Sequence, residues 1–176
     1  MEHKLKTGES LLIRKAEPDD AEEILEYMEK ISGESRNLLF APGELKMTVE
    51  DEKSLLENLR YSNDSVMLVG ELNGRIVCAA QATRKGSKMR IRHRGGIAAA
   101  VLKEHWSKGI GQCLMNEIIG FALTVGIEQL ELEVRSDNAA AIALYKKSGF
   151  VTTGKIPGFM KIDDEYFDVD IMVRNS

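Results

Sequence analysis

Two β-rich runs, Val66 to Leu72 and Arg75 to Thr83, are separated by the dipeptide Asn73-Gly74. Asn-Gly suits a two-residue hairpin loop, because both central residues of the type I′ turn take positive φ. The runs therefore pair antiparallel, and a sheet becomes the frame around which the remaining segments are arranged.

Leu11 to Lys15 reads as a strand before this hairpin. Glu17-Pro18-Asp19-Asp20 then supplies acidic helix-start residues, and Ile24, Leu25, Met28 and Ile31 recur at helical spacing. Gly33 to Lys46 has broken periodicity and contains Gly33, Pro42 and Gly43, which makes it a connection with room for a short helical turn. Thr48, with Asp51 three residues on, caps a second helix whose Leu55, Leu56 and Leu59 are expected to face inward.

After the hairpin, Gly86-Ser87 bends the chain towards a strand from about Gly96 to Leu102. Ala98, Ala99 and Ala100 crowd that strand, although alanine is depleted in ordinary strands. Either a ligand approaches the backbone closely there or a helix packs tightly on the sheet, and the sequence leaves both open. Ile110, Leu114, Ile118, Phe121 and Val125 mark an amphipathic helix ending at Gly126. Ile127 to Val134 alternates as a strand, and a short helix runs from Asn138 to Lys147 before Gly149. Phe150 to Ile162 and Tyr166 to Val173 close the order as two strands around Asp163-Asp164. The fold class is α/β (α+β mixed sheet), expected as a single domain over residues 1–176 with about seven strands and about four helices.

Composition narrows function mainly by exclusion. A chain of 176 residues that is 43% hydrophobic supports one core. Its formal charge of −4 offers no overall basic field for a nucleic acid. Met1 to Ser10 lacks the apolar core of a secretory signal, and no run approaches the roughly 20 apolar residues of a membrane span, so a cytoplasmic location is expected. Cys78 and Cys113 sit among apolar neighbours and read as reduced structural thiols; the three histidines show no metal-ligand spacing.

Lys108-Gly109-Ile110-Gly111 lies between a strand and a helix. The first N–H groups of a helix have no intrahelical partner and favour an anion. Glycine at 109 and 111 would let phosphate oxygens near the backbone, and Lys108 adds positive charge. The run lacks the Gly-Lys-Ser/Thr ending of a Walker loop and the third glycine of a dinucleotide fingerprint. Downstream, Asn138 begins a helix and reads first as its N-cap. Tyr145, two turns later, projects from nearly the same face.

Taken together, Ala99-Ala100-Val101, Trp106-Ser107-Lys108-Gly109-Ile110-Gly111, Asn138, Ala141, Leu144-Tyr145 and Gly149-Phe150 resemble the acetyl-CoA-binding motifs of the GNAT superfamily of N-acetyltransferases. The resemblance runs from about Val66 to Phe150 and implies the GNAT fold. It implies that Ala99, Ala100 and Val101 pair with the pantetheine amides, and that Trp106, Ser107, Lys108, Gly109, Ile110, Gly111 and Gln112 hold the pyrophosphate. Asn138 would touch the cosubstrate, with Tyr145 beside its sulfur. Trp106 departs from the glutamine or arginine usual at its position. A homodimer is common in the family.

Amide formation requires the attacking amine to lose a proton and the departing thiolate to gain one. Tyr145 suits the second task as general acid, and a backbone N–H at the end of Ala99 to Val101 suits the oxyanion. No covalent acetyl-enzyme is required, and Cys113 is not assigned as a nucleophile. The usual strand glutamate is replaced by glycine in His93-Arg94-Gly95-Gly96-Ile97, which leaves His93, Glu34 and Glu133 as candidate bases, with Glu34 and His93 also placed near the acceptor. Each has a plainer reading: a surface histidine, a solvated loop charge, and a partner for Arg135 or a nearby lysine. The amine acceptor, a small molecule or a protein amine, is expected to meet Gly33 to Lys46 and Gly154 to Glu165. The competing class is a non-catalytic acyl-CoA-binding sensor or assembly module.

Overall fold

The computed structural model describes residues 1–176. Eight strands form one mixed sheet: β1 (Glu2–Lys4), β2 (Ser10–Lys15), β3 (Ser65–Leu72), β4 (Arg75–Arg84), β5 (Arg94–Val101), β6 (Gln129–Arg135), β7 (Val151–Ile162) and β8 (Glu165–Asn175). Their order across the sheet is β1-β2-β3-β4-β5-β6-β8-β7. Four α-helices, α1 (Ala21–Glu34), α2 (Val49–Arg60), α3 (Ile110–Thr124) and α4 (Ala139–Lys147), complete the fold. The eighth strand corrects the expected seven. Residues 2–4 are polar and short, and they become a strand only because β2 offers its free edge.

Local signals act where expected. Asn73 and Gly74 take φ of 52° and 76° at the β3–β4 turn, and Asp163 and Asp164 take 49° and 64° at the β7–β8 turn. Thr48 and Asp51 form a reciprocal capping box at α2. Only Leu56 of the three α2 leucines is fully buried; Leu55 is exposed, and Glu52 shares the inward face with Leu56. α1 packs against α2 and β4 on one face of the sheet, while α3 covers β4 and β5 on the other. The core between these layers includes Leu11, Val69, Ile118, Leu130, Phe150 and Met172.

The site depends on one irregularity. β5 and β6 are the only parallel neighbours, and they pair only from Arg94–Gly96 against Gln129–Glu131. Beyond Gly96 the two strands diverge, which opens a fork in the middle of the sheet. No helix is long and apolar enough to cross a membrane.

Candidate functional site: a sheet fork beside a helix start with free donors

The arms of the fork carry unspent main-chain groups. Leu102 N–H donates to Val77, and the Arg94 carbonyl accepts from Lys85, so the even-numbered residues of β5 turn their N–H and C=O groups towards β4. By the alternation of a strand, Ala99 and Val101 turn theirs towards the opening. The Val101 carbonyl accepts the indole N–H of Trp106 at 2.6 Å, while the Ala99 groups remain available to an extended ligand with amides of its own. Ala99 and Val101 side chains point to α3 and those of Ala98 and Ala100 to the α1 side, with Ala98 exposed. The small residues let α3 pack closely on one face and leave Ala98 exposed on the other.

Just past β5, a single turn of 3-10 helix at Lys103–His105 leads into Trp106 and the start of α3. Ser107 and Gly109 adopt left-handed φ of 62° and 91°. Consecutive N–H groups from Ser107 to Gly111 find no acceptor within the protein, so they form a concave set of donors at the positive end of a fifteen-residue helix. A Cβ at Gly109 would meet nothing within 4 Å, which leaves open space above this backbone. At Gly111, whose N–H belongs to the donor set, a Cβ would lie 3.0 Å from Leu144 Cδ2. Its glycine lets α3 pack on α4. Ile110 is buried and can offer only its backbone; Gln112 Nε2 bonds Asn116 at 3.0 Å and Ser148 at 3.1 Å, tying α3 to the end of α4. Lys108 Nζ lies 3.3 Å from His105 Nδ1 beside the donor set.

α4 starts beyond the other arm of the fork. Asn138 Oδ1 accepts the Ala141 N–H at 3.2 Å, so it is the N-cap, with its amide donors left over. Tyr145 is 9% exposed, packs its ring on Phe150 with centroids 6.1 Å apart, and has its pKa raised by burial. It is therefore a neutral phenol at physiological pH.

The proposed bases fall in different places. Of the two glycines that stand where a carboxylate is usual, a side chain at Gly95 would come within 2.9 Å of Ile127 in the core, whereas one at Gly96 would meet only Lys85 Cε at 3.7 Å. Glu34 accepts the Lys103 N–H at 2.7 Å and ties the end of α1 to the approach of the donor set. The His93 carbonyl receives the Glu128 and Gln129 N–H groups at the closed end of the fork. Glu133 lies exposed on the free arm of β6 and makes no ion pair; Arg135 is held instead by Asp137, at 2.9 and 2.5 Å.

Three features escaped the sequence reading. Glu131, at the last rung of the ladder, is gripped by Lys85 and Arg94. Arg135 donates to the Arg36 carbonyl at 3.0 Å and stacks 3.9 Å from the Phe167 ring. Arg36 pairs with Asp163, which joins the segment after α1 to the β7–β8 turn. Each contact links residues far apart in sequence, and no local spacing announces it.

A sheet split along one strand, with a set of free N–H donors at the mouth of the split, can hold a long ligand that carries amides along its length and an anionic group at its end. Residues 27–150 match the model of the Acetyltransferase (GNAT) family, and the chain belongs to that family. A GNAT-family acetyltransferase structure from Streptococcus pneumoniae is 32% identical, with a TM-score of 0.90 over 94% of this chain and 99% of the other. The yncA structure from Salmonella typhimurium, solved with its cofactor acetyl-CoA, shares the fold at a TM-score of 0.81 and 22% identity, over 94% and 93% of the two chains. The [Ribosomal protein bS18]-alanine N-acetyltransferase of Salmonella typhimurium is 45% identical over 29% of this chain and 34% of its own length. The chain spans less than half the length of the curated relatives it matches.

Proposed function

We propose that this chain transfers an acetyl group from acetyl-CoA directly to an amine. The observation that carries the reading is the alignment of the β5–β6 fork with the unsatisfied N–H groups of Ser107 to Gly111. Both are shaped for one elongated ligand, a pantetheine arm lying along Ala99 and a pyrophosphate over Gly109. Acetyl-CoA would supply an activated acyl thioester at this place. The chain's own residues would do the rest: Ala99 and Val101 orient, the Ser107–Gly111 donors anchor, and Asn138 offers its free amide.

Tyr145 is assigned as the acid that returns a proton to the departing thiolate. Burial keeps its hydroxyl protonated, and neither a charged neighbour nor a hydrogen bond opposes that effect. The amine proton leaves by Glu133, the ionisable group exposed on the open β6 arm, directly or through water. Neither thiol suits a covalent route: burial drives Cys78 up to about 12 and raises Cys113 above the ordinary thiol value.

The test mixes the protein with acetyl-CoA and a broad amine panel, following free thiol and product mass. The reading expects thiol release that depends on an amine, with one acetyl group added to it. If acetyl-CoA raises thermal stability but no amine elicits thiol release, the non-catalytic binding module is the better description. No stabilisation would place the ligand elsewhere.

A further inference from the structure

The connection between β4 and β5 has an unusual charge. From Arg84 to Arg94 the chain places six of its 24 Lys and Arg residues, Arg84, Lys85, Lys88, Arg90, Arg92 and Arg94, and none of its 28 acidic ones. The remainder of the molecule is therefore more negative than the total of −4. A local field of opposite sign to its surroundings attracts a partner to one spot rather than to the whole surface.

Only part of this charge is answered internally. Arg84 Nε meets Asp64 at 2.6 Å, and its remaining nitrogens bond the carbonyls of Arg92 and Val125. Lys85 and Arg94 share Glu131 at the base of the fork. Lys88, Arg90 and Arg92 are exposed and make no ion pair or side-chain hydrogen bond. Met89 between them is 81% exposed. The segment is nevertheless built: the Ile91 and Arg92 N–H groups both donate to Lys88 at 2.9 Å, and Arg94 N–H donates to Ile91 at 3.0 Å. Such a turn presents its cations with little ordering left to do.

We propose that this turn is a docking surface for an acidic stretch of a polypeptide whose amine is the acceptor. The inference rests on the acetyl-transfer reading and deepens it. Lys85 and Arg94 root the turn at Glu131, where the fork begins, so a chain bound over Lys88, Arg90 and Arg92 lies beside the closed end of the fork, near Glu133, the proposed exit for the amine proton two residues further along β6. A nucleic acid fits less well, because its phosphates continue beyond the turn onto a surface of the same sign. Met89 adds an apolar contact that side chains of a peptide can use.

The experiment compares two peptides, each with one lysine, flanked in one by glutamates and in the other by serines. At low salt the acidic peptide should show kcat/KM higher by about tenfold or more, and the advantage should shrink at high salt. The variant Lys88→Glu/Arg90→Glu/Arg92→Glu should lose that advantage while acetylating a small neutral amine from the panel as wild type does. Fluorescence anisotropy of the labelled acidic peptide gives a readout independent of turnover, with binding expected for wild type and lost in the variant. Equal kcat/KM for the two peptides, acetylation of small amines but of neither peptide, or an advantage that survives charge reversal would overturn the proposal. Tighter binding of a single-stranded RNA than of the acidic peptide would overturn it too. Should no amine of any kind be acetylated while the anisotropy result holds, the acetyl-transfer reading fails and the docking surface stands.

Discussion

The Trp106 indole N–H donates to the Val101 carbonyl at 2.6 Å, linking the loop that precedes α3 to the last residue of the strand lining the fork. Where the family pattern has glutamine or arginine, this chain has a side chain turned back on its own backbone. The contact fixes the distance between the strand arm and the free N–H donors of Ser107 to Gly111. Trp106→Phe keeps most of the ring and removes the donor. It should lower stability by about 1 kcal/mol, the net worth of one hydrogen bond, and raise the acetyl-CoA dissociation constant severalfold without changing kcat. Calorimetry and saturation kinetics on the folded variant check this; unchanged affinity would make Trp106 a surface ring only.

The two loop glycines should behave differently. At φ of 91°, Gly109→Ala meets no neighbour but strains the left-handed backbone, by about 1–2 kcal/mol. Acetyl-CoA affinity should fall with it, since both the donor directions and the open space change. Gly111→Ala should act through Leu144, 3.0 Å away, and a second change, Leu144→Ala, should restore much of its stability and affinity. If the double variant remains as weak a binder as the single one, Gly111 touches the phosphates after all.

Much of the frame was legible because it is local. Asn73-Gly74 and Asp163-Asp164 set hairpins by their own backbone preferences, and Thr48 with Asp51 caps α2 without outside help. β1 was not legible, since Glu2–Lys4 has no pattern and depends on the edge of β2. Of the site, the free N–H donors at the start of α3 could be read from the order of strand, glycines and helix, but the packing against Gly111 could not. That packing depends on Leu144, thirty-three residues further along the chain, lying on α3. The Glu131 cluster and the Arg36–Asp163 bridge are likewise tertiary, formed by charges whose sequence surroundings look ordinary.

Stability should fall on the alkaline side. Cys78, with an ordinary value of 9.0 and about 12 in the fold, together with the buried Tyr27 and Tyr145, releases its proton more readily from the unfolded chain. A raised folded pKa contributes stability that is complete below the unfolded value and lost as pH rises towards the folded one. The melting temperature should therefore fall from about pH 9 upwards, first through Cys78 and then, above the ordinary tyrosine value of 10.0, through the two phenols. Cys78→Ala should remove the first part of that fall, as melting curves across pH would show. Cys113→Ser, by contrast, should retain most turnover, and a trapped acetyl-cysteine would contradict direct transfer.

The central claim is that a buried, neutral phenol on α4 completes acetyl transfer. Tyr145→Phe keeps the ring against Phe150 and removes only the hydroxyl. With a saturating acceptor found in the amine panel, kcat should fall by about 10² to 10⁴, the scale of lost general-acid catalysis, while acetyl-CoA affinity changes little. A thiolate is a tolerable leaving group, with a thiol pKa of about 8.5, which places the expected fall towards the lower end of that range. A folded Tyr145→Phe protein whose kcat stays within about twofold of wild type would contradict the account and leave Tyr145 as a packing residue.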